Sequence, residues 1–114
     1  MPNGRSGGFV IETVDLRELV KAVSDTTVVG QAFVNSLPPR LVSSSEVSRL
    51  VEECPLDRVA VEEQDSTAYV IHLSNEPELK WLFVGSQSPI FPALRQRHSQ
   101  WMTEHPDWHG WIAF

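Results

Sequence analysis

The sequence predicts an α+β fold: a three-stranded antiparallel sheet, with room for a fourth or fifth strand, packed against about three helices. Three observations carry this expectation. The β-rich segments Arg58–Glu63, Thr67–Leu73 and Leu79–Val84 follow one another with only the polar connections Gln64-Asp-Ser and Ser74-Asn-Glu-Pro between them, the spacing of a meander. Apolar residues recur at helical spacing in three other stretches. Each of those stretches carries its own start or stop signal.

Order is expected to begin at Phe9. Residues 1–8, Met1-Pro-Asn-Gly-Arg-Ser-Gly-Gly, hold no apolar side chain after Met1 except the Pro2 ring and read as a flexible arm, which leaves 9–114 as a single α+β domain. Phe9-Val-Ile suits a short strand, and Thr13 or Asp15 can cap a first helix that lines up Leu16, Leu19, Val20 and Val23. Between Asp25 and Leu41 the signals conflict. Thr26-Thr-Val-Val favours strand, Gly30 interrupts it and Pro38-Pro39 stops either kind of element, so much of residues 26–41 is expected to be loop.

Ser43 stands three residues before Glu46 in the capping-box pattern, and Val47, Leu50, Val51 and Cys54 form the apolar stripe of a second helix that Pro55 ends. In the meander, Val59 and Val61 alternate with polar neighbours, as in an edge or half-exposed strand. The next two segments are apolar on both faces and belong deeper, so helices must cover part of the sheet. Ser88-Pro89 opens a third helix, because serine caps and proline suits a first turn. Leu94, His98, Trp101 and Met102 share one of its faces, Pro92 must stay within that first turn, and Pro106 ends the helix near Thr103.

Composition narrows the function classes. With 41% apolar and 21% charged residues among 114, the chain has enough apolar surface to offset the ordering of its backbone. Its longest apolar runs fall well short of the ~20 residues needed to cross a bilayer, and Phe9-Val-Ile is too short for the apolar segment of a signal peptide, so no membrane partner is expected. Cys54 is the only cysteine, which excludes an internal disulfide and fits the reducing cytoplasm. The net charge of −6 is concentrated: residues 46–78 hold nine acids against Arg49 and Arg58. That polarity repels a phosphate backbone and favours a basic protein surface. The bases near the C-terminal tryptophans, Arg95 and Arg97, are too few for a nucleic-acid binder, so none is expected.

Several residue groups invite a chemical reading beside a packing one. His98, His105 and His109 lie close in sequence with Glu104 and Asp107, all groups able to ligate a divalent metal, and they support an alternative reading as a small metal-dependent hydrolase or metal-binding protein. Against it, Pro106 separates two of the imidazoles, and the chain has no HExxH-like signature. His72, on a strand, reads as a paired face residue rather than a base. Cys54 continues an apolar stripe and reads as packing rather than as a nucleophile. Asn3-Gly-Arg-Ser-Gly-Gly lacks the preceding strand that a phosphate loop requires. No motif calls for a cofactor.

The principal expectation is therefore an acidic protein-interaction domain without catalysis, binding a basic protein partner. Its contact residues are expected to be Glu52, Glu53, Asp57, Glu62, Glu63 and Asp65, with apolar grip from Trp108 and Trp111 in the aromatic C-terminal stretch. A homodimer is compatible with this, since a short meander leaves edges that a second copy can cover.

Overall fold

The computed structural model describes residues 8–34, 40–64, 67–73 and 80–107. Along these the chain runs β1 (Gly8–Glu12), α1 (Thr13–Lys21), β2 (Val28–Val34), β3 (Arg40–Ser43), α2 (Ser44–Glu52), β4 (Arg58–Gln64), β5 (Ala68–His72), β6 (Lys80–Gly85) and α3 (Phe91–Glu104). Six strands form one antiparallel sheet in the order β1-β4-β5-β6-β2-β3. The class is the expected α+β, but the sheet is twice the size of the expected meander. Of the expected arm, only Gly8 is described, and it opens β1 rather than preceding it.

The extra strands come from two sources. Phe9-Val-Ile pairs with β4 over five residues, from Gly8 opposite Glu62 to Glu12 opposite Arg58, so β4 is an interior strand and not an edge. The larger correction concerns residues 26–41, expected to be mostly loop, which supply β2 and the start of β3. Gly30 is what made this stretch illegible. A Cβ there would stand 2.4 Å from the Phe83 carbonyl oxygen and 3.1 Å from Leu82 Cδ1, so the residue that reads as an interruption is the one that lets β2 lie against β6. A register shift between Val28 and Gly30 also breaks the alternation by which a strand is recognised.

Registers assign every strand residue to one of two faces. Phe9, Ile11, Val59, Val61, Tyr69, Ile71, Leu82 and Val84 lie on one face and join Leu16, Val20, Val47, Val51, Phe91 and Leu94 from the three helices in a single buried cluster. Each such aliphatic or aromatic side chain contributes roughly 1.5–3 kcal/mol on burial. All three helices therefore cover the same side of the sheet. The other side carries no helix among the described residues.

Local chemistry sets the helix ends. Glu12, not Thr13, is the N-cap of α1, and Thr13 begins the helix with its N–H donated to the Asp57 carbonyl at 3.0 Å. Ser43 caps α2 by accepting from the Glu46 N–H at 3.4 Å, but only half of the expected capping box forms, because the Glu46 carboxylate instead pairs with Arg40. That pairing lowers the Glu46 pKa through the hydrogen bond from the guanidinium. Ser44 donates its hydroxyl to the Val20 carbonyl, which ties α2 to α1. In α3, Pro92 falls within the first turn as required, but the helix begins at Phe91 instead of at Ser88-Pro89. Ser88 instead bridges two elements, since its hydroxyl donates to the Val29 carbonyl at 2.6 Å and accepts from the Ile90 N–H at 3.3 Å, fastening the approach to α3 onto β2.

Gly30→Ala is expected to lower stability by about 1–3 kcal/mol, the range for forcing an extra carbon into a close-packed site. Chemical denaturation of the two proteins measures it; a variant as stable as the parent would mean that β2 and β6 do not approach this closely.

Candidate functional site

The metal centre of the alternative reading does not assemble among the described residues. His98 lies on the covered face of α3, 7% exposed, with its ring stacked on Phe9 at 5.0 Å between centroids. Its Nδ1 is 3.1 Å from the Tyr69 hydroxyl. His105 sits just beyond the end of α3, exposed, with its ring stacked on Trp101 at 3.8 Å and its Nδ1 3.1 Å from the Trp101 carbonyl oxygen. The two rings are thus held by different partners, one in the core and one at the surface. The described residues hold no group of three His, Cys, Asp or Glu side chains placed to bind a metal. His109 lies outside the described residues.

Packing accounts for the state of His98. Burial holds its pKa below the ordinary 6.5, a tendency that Glu63 opposes and Arg95 adds to. Burial likewise pushes the neighbouring Tyr69 up to about 12. His98 Nε2 has no hydrogen-bond partner among the described residues, which favours the neutral ring further. Cys54 is half-buried against the core and its thiol reaches the Leu73 carbonyl, so it packs, as its stripe implied.

Among the described residues, the acidic side chains are not all on one surface. Glu52 and Glu53 lie at the end of α2, where Glu52 stands 3.8 Å from Arg17 on α1. Asp57 precedes β4 and is held by its backbone to Thr13. Glu62 and Glu63 are successive strand residues and so point to opposite faces. Glu62 turns to the open face and meets His72 at 3.4 Å, while Glu63 turns to the covered face and acts electrostatically on Tyr69 and His98. Asp65, Trp108 and Trp111 lie outside the described residues.

What the structure does gather is the open face of the sheet. Across β1, β4, β5 and β6 the register aligns Val10, Ala60, His72 and Trp81; the next row aligns Glu62, Val70, Phe83, Gln31 and Leu41. An antiparallel sheet with one wet side normally shows polar residues there. Here Leu41 is 62% and Trp81 40% exposed, beside half-buried Phe83 and Val10. Trp81 meets the His72 ring edge-on at 5.8 Å, so Glu62, His72 and Trp81 form a chain of contacts across three strands. A shallow hollow of 310 Å³, bordered by Val28, Gln31, Leu41, Phe83 and Gln87, continues this surface toward the turn before α3. Trp81 was not among the expected site residues, although its strand parity with Phe83, opposite to Leu82 and Val84, was readable.

The chain matches no protein-family model, no curated protein and no solved structure. No described helix is long and apolar enough to cross a membrane.

The buried imidazole makes stability depend on pH. Because its folded pKa is lowered, the unfolded chain takes up a proton below about pH 6.5 that the folded chain refuses. The stability is thus complete above that value and declines as pH falls through it, until the folded ring titrates too. His98→Gln, which keeps an acceptor for Tyr69, is expected to flatten this slope. Tyr69→Phe, which strands His98 Nδ1, is expected to cost about 1–3 kcal/mol. Urea unfolding between pH 5 and 8 reads both; a slope unchanged in His98→Gln would assign it to another group.

Proposed function

We propose that this chain is a protein-interaction domain without catalytic activity, whose partner is a basic protein and whose contact surface is the open face of the sheet. One observation carries the reading: a face that solvent alone would fill with polar residues instead presents Trp81, with Leu41, Phe83 and Val28 of the same face bordering a shallow hollow. Tryptophan supplies large, rigid contact area at small entropic cost, and it is enriched among the residues that dominate binding energy. Glu62, on the same face and in contact with His72, provides a carboxylate for a cationic side chain.

The charge balance supports the choice of partner. A net charge of −6 attracts a basic surface over distances near the Debye length, about 8–10 Å in physiological salt, and this steering does not require the carboxylates to share a face. Short-range grip then comes from the apolar residues. The two contributions separate experimentally: salt weakens the first and leaves the second largely intact.

Affinity capture from the native lysate at graded ionic strength tests this reading, with wild type, Trp81→Ser and Leu41→Ser compared side by side. A basic protein retained by the wild type, released progressively by salt and weakened about thirtyfold by Trp81→Ser is the expected result, the loss typical of a central tryptophan. Retention of no protein at any ionic strength, or equal retention by all three forms, would overturn it.

A further inference from the structure

The sheet has two edges, and they are finished differently. The β3 edge is four residues long, starts with the exposed Arg40 and lies beside the register shift in β2, all features that discourage another strand from pairing. β1, five residues long, has neither the basic residue nor the irregularity. Gly8-Phe-Val-Ile-Glu contains no lysine, arginine or proline and keeps a regular register along its whole length.

The orientation of its backbone follows from one hydrogen bond. Thr13 donates its N–H to the Asp57 carbonyl at 3.0 Å, continuing the register in which Glu12 faces Arg58, so the residues in phase with Thr13, Phe9 and Ile11, bond inward to β4. The N–H groups of Gly8, Val10 and Glu12 then point outward, with the carbonyls of Gly8 and Val10. No strand among the described residues pairs with them. Beside this rim runs a groove of 470 Å³, lined by residues 9–12 of β1 and by Arg97, Gln100, Trp101 and Glu104 of α3.

We infer that this groove takes an extended basic segment of the partner, which adds to the sheet as a strand alongside β1. The inference rests on the interaction-domain reading and names a second contact for it. Backbone pairing gives such sites their affinity, and alternate side-chain contacts give specificity. The side chains turned toward α3 meet Trp101 and Gln100. Charge selects the segment: Arg97 answers Asp15 at 3.8 Å, Arg58 stands opposite Glu12 across the strand pair, and Glu104 is the remaining carboxylate among the lining residues. A lysine or arginine of the incoming strand satisfies it.

The test uses the full chain, isotopically labelled, and a hexapeptide of alternating lysine and valine. Amide shifts and slowed hydrogen exchange at Gly8, Val10 and Glu12, with the Trp81 resonances unmoved, are expected. N-methylation of alternate peptide amides in one phase should abolish binding and in the other phase preserve it. Glu104→Lys, an exposed change at a helix C-terminus where a cation is tolerated, should weaken binding roughly threefold to tenfold. Shifts confined to the open face around Trp81 would overturn the strand-addition site while leaving the broader reading in place; loss of partner capture by Trp81→Ser with normal peptide binding would separate the two the other way. Equal binding of both methylated peptides would overturn the backbone pairing. The inference would also fall if the Gly8–Glu12 shifts appeared on raising the protein concentration alone, which would assign the rim to a second copy, or if the rim were already protected until residues 108–114 were removed.

Discussion

A six-stranded sheet about 24 Å wide offers more surface than three short helices can cover twice, and here they cover it once. α1 and α2 are nine residues each and are stitched together by the Ser44 hydroxyl and the Val20 carbonyl; α3, fourteen residues long, lies over Phe9 and Tyr69. Everything else in the molecule follows from that one-sided coverage. The apolar core is a single layer between helices and sheet, and among the described residues the opposite face is covered by the side chains that stand on it. Ala60 and Val70 are buried there without belonging to the main core, with the larger His72 and Phe83 as their cross-strand neighbours.

How much of this was legible depends on how strictly each stretch obeys its period. β4 sets Val59 and Val61 on one face, although Ala60 between them is buried as well, and α2 keeps its stripe from Val47 to Val51, so both were found close to where they lie. β5 and β6 were correctly read as deep because they are apolar on both faces, yet that same property concealed which face is open: Val70 and Phe83 look like core residues until the helices are seen to lie on the other side. β2 defeated periodicity for a specific reason. Its Gly30 lacks a side chain because a backbone carbonyl occupies the space, and its register shift puts consecutive valines out of phase. No local rule distinguishes such a glycine from a turn glycine, since the difference lies in a strand some fifty residues away.

The site was less legible than the fold. Charge count located an acidic segment, and count alone cannot tell whether successive carboxylates share a face; Glu62 and Glu63 do not, because strand geometry separates neighbours. The histidine cluster was a cluster in sequence only. One ring is taken up by Phe9 and Tyr69 in the core, and another by Trp101 at the surface. Trp81 could have been found by comparing its parity with that of Leu82 and Val84, but only after deciding that the covered face was theirs.

The edge strand β1 illustrates how stability and recognition share residues. A five-residue strand with a neighbour on one side frays unless something other than its ladder holds it. Here Phe9 does so: it is fully buried, lies flat on His98 of α3 and meets Tyr69 of β5 edge-on at 6.1 Å. The strand is thus clamped through its inward side chains from the helix layer, and its outward amides, paired with no other described strand, are held in extended geometry. A rim preorganised in this way loses little further entropy when another strand pairs with it, which is the condition under which main-chain hydrogen bonds contribute net affinity. The same clamp explains why a neutral imidazole sits at its centre. A charged ring between Phe9 and Tyr69 would be desolvated without a carboxylate in direct contact, so the packing that fixes β1 also fixes the protonation state of His98.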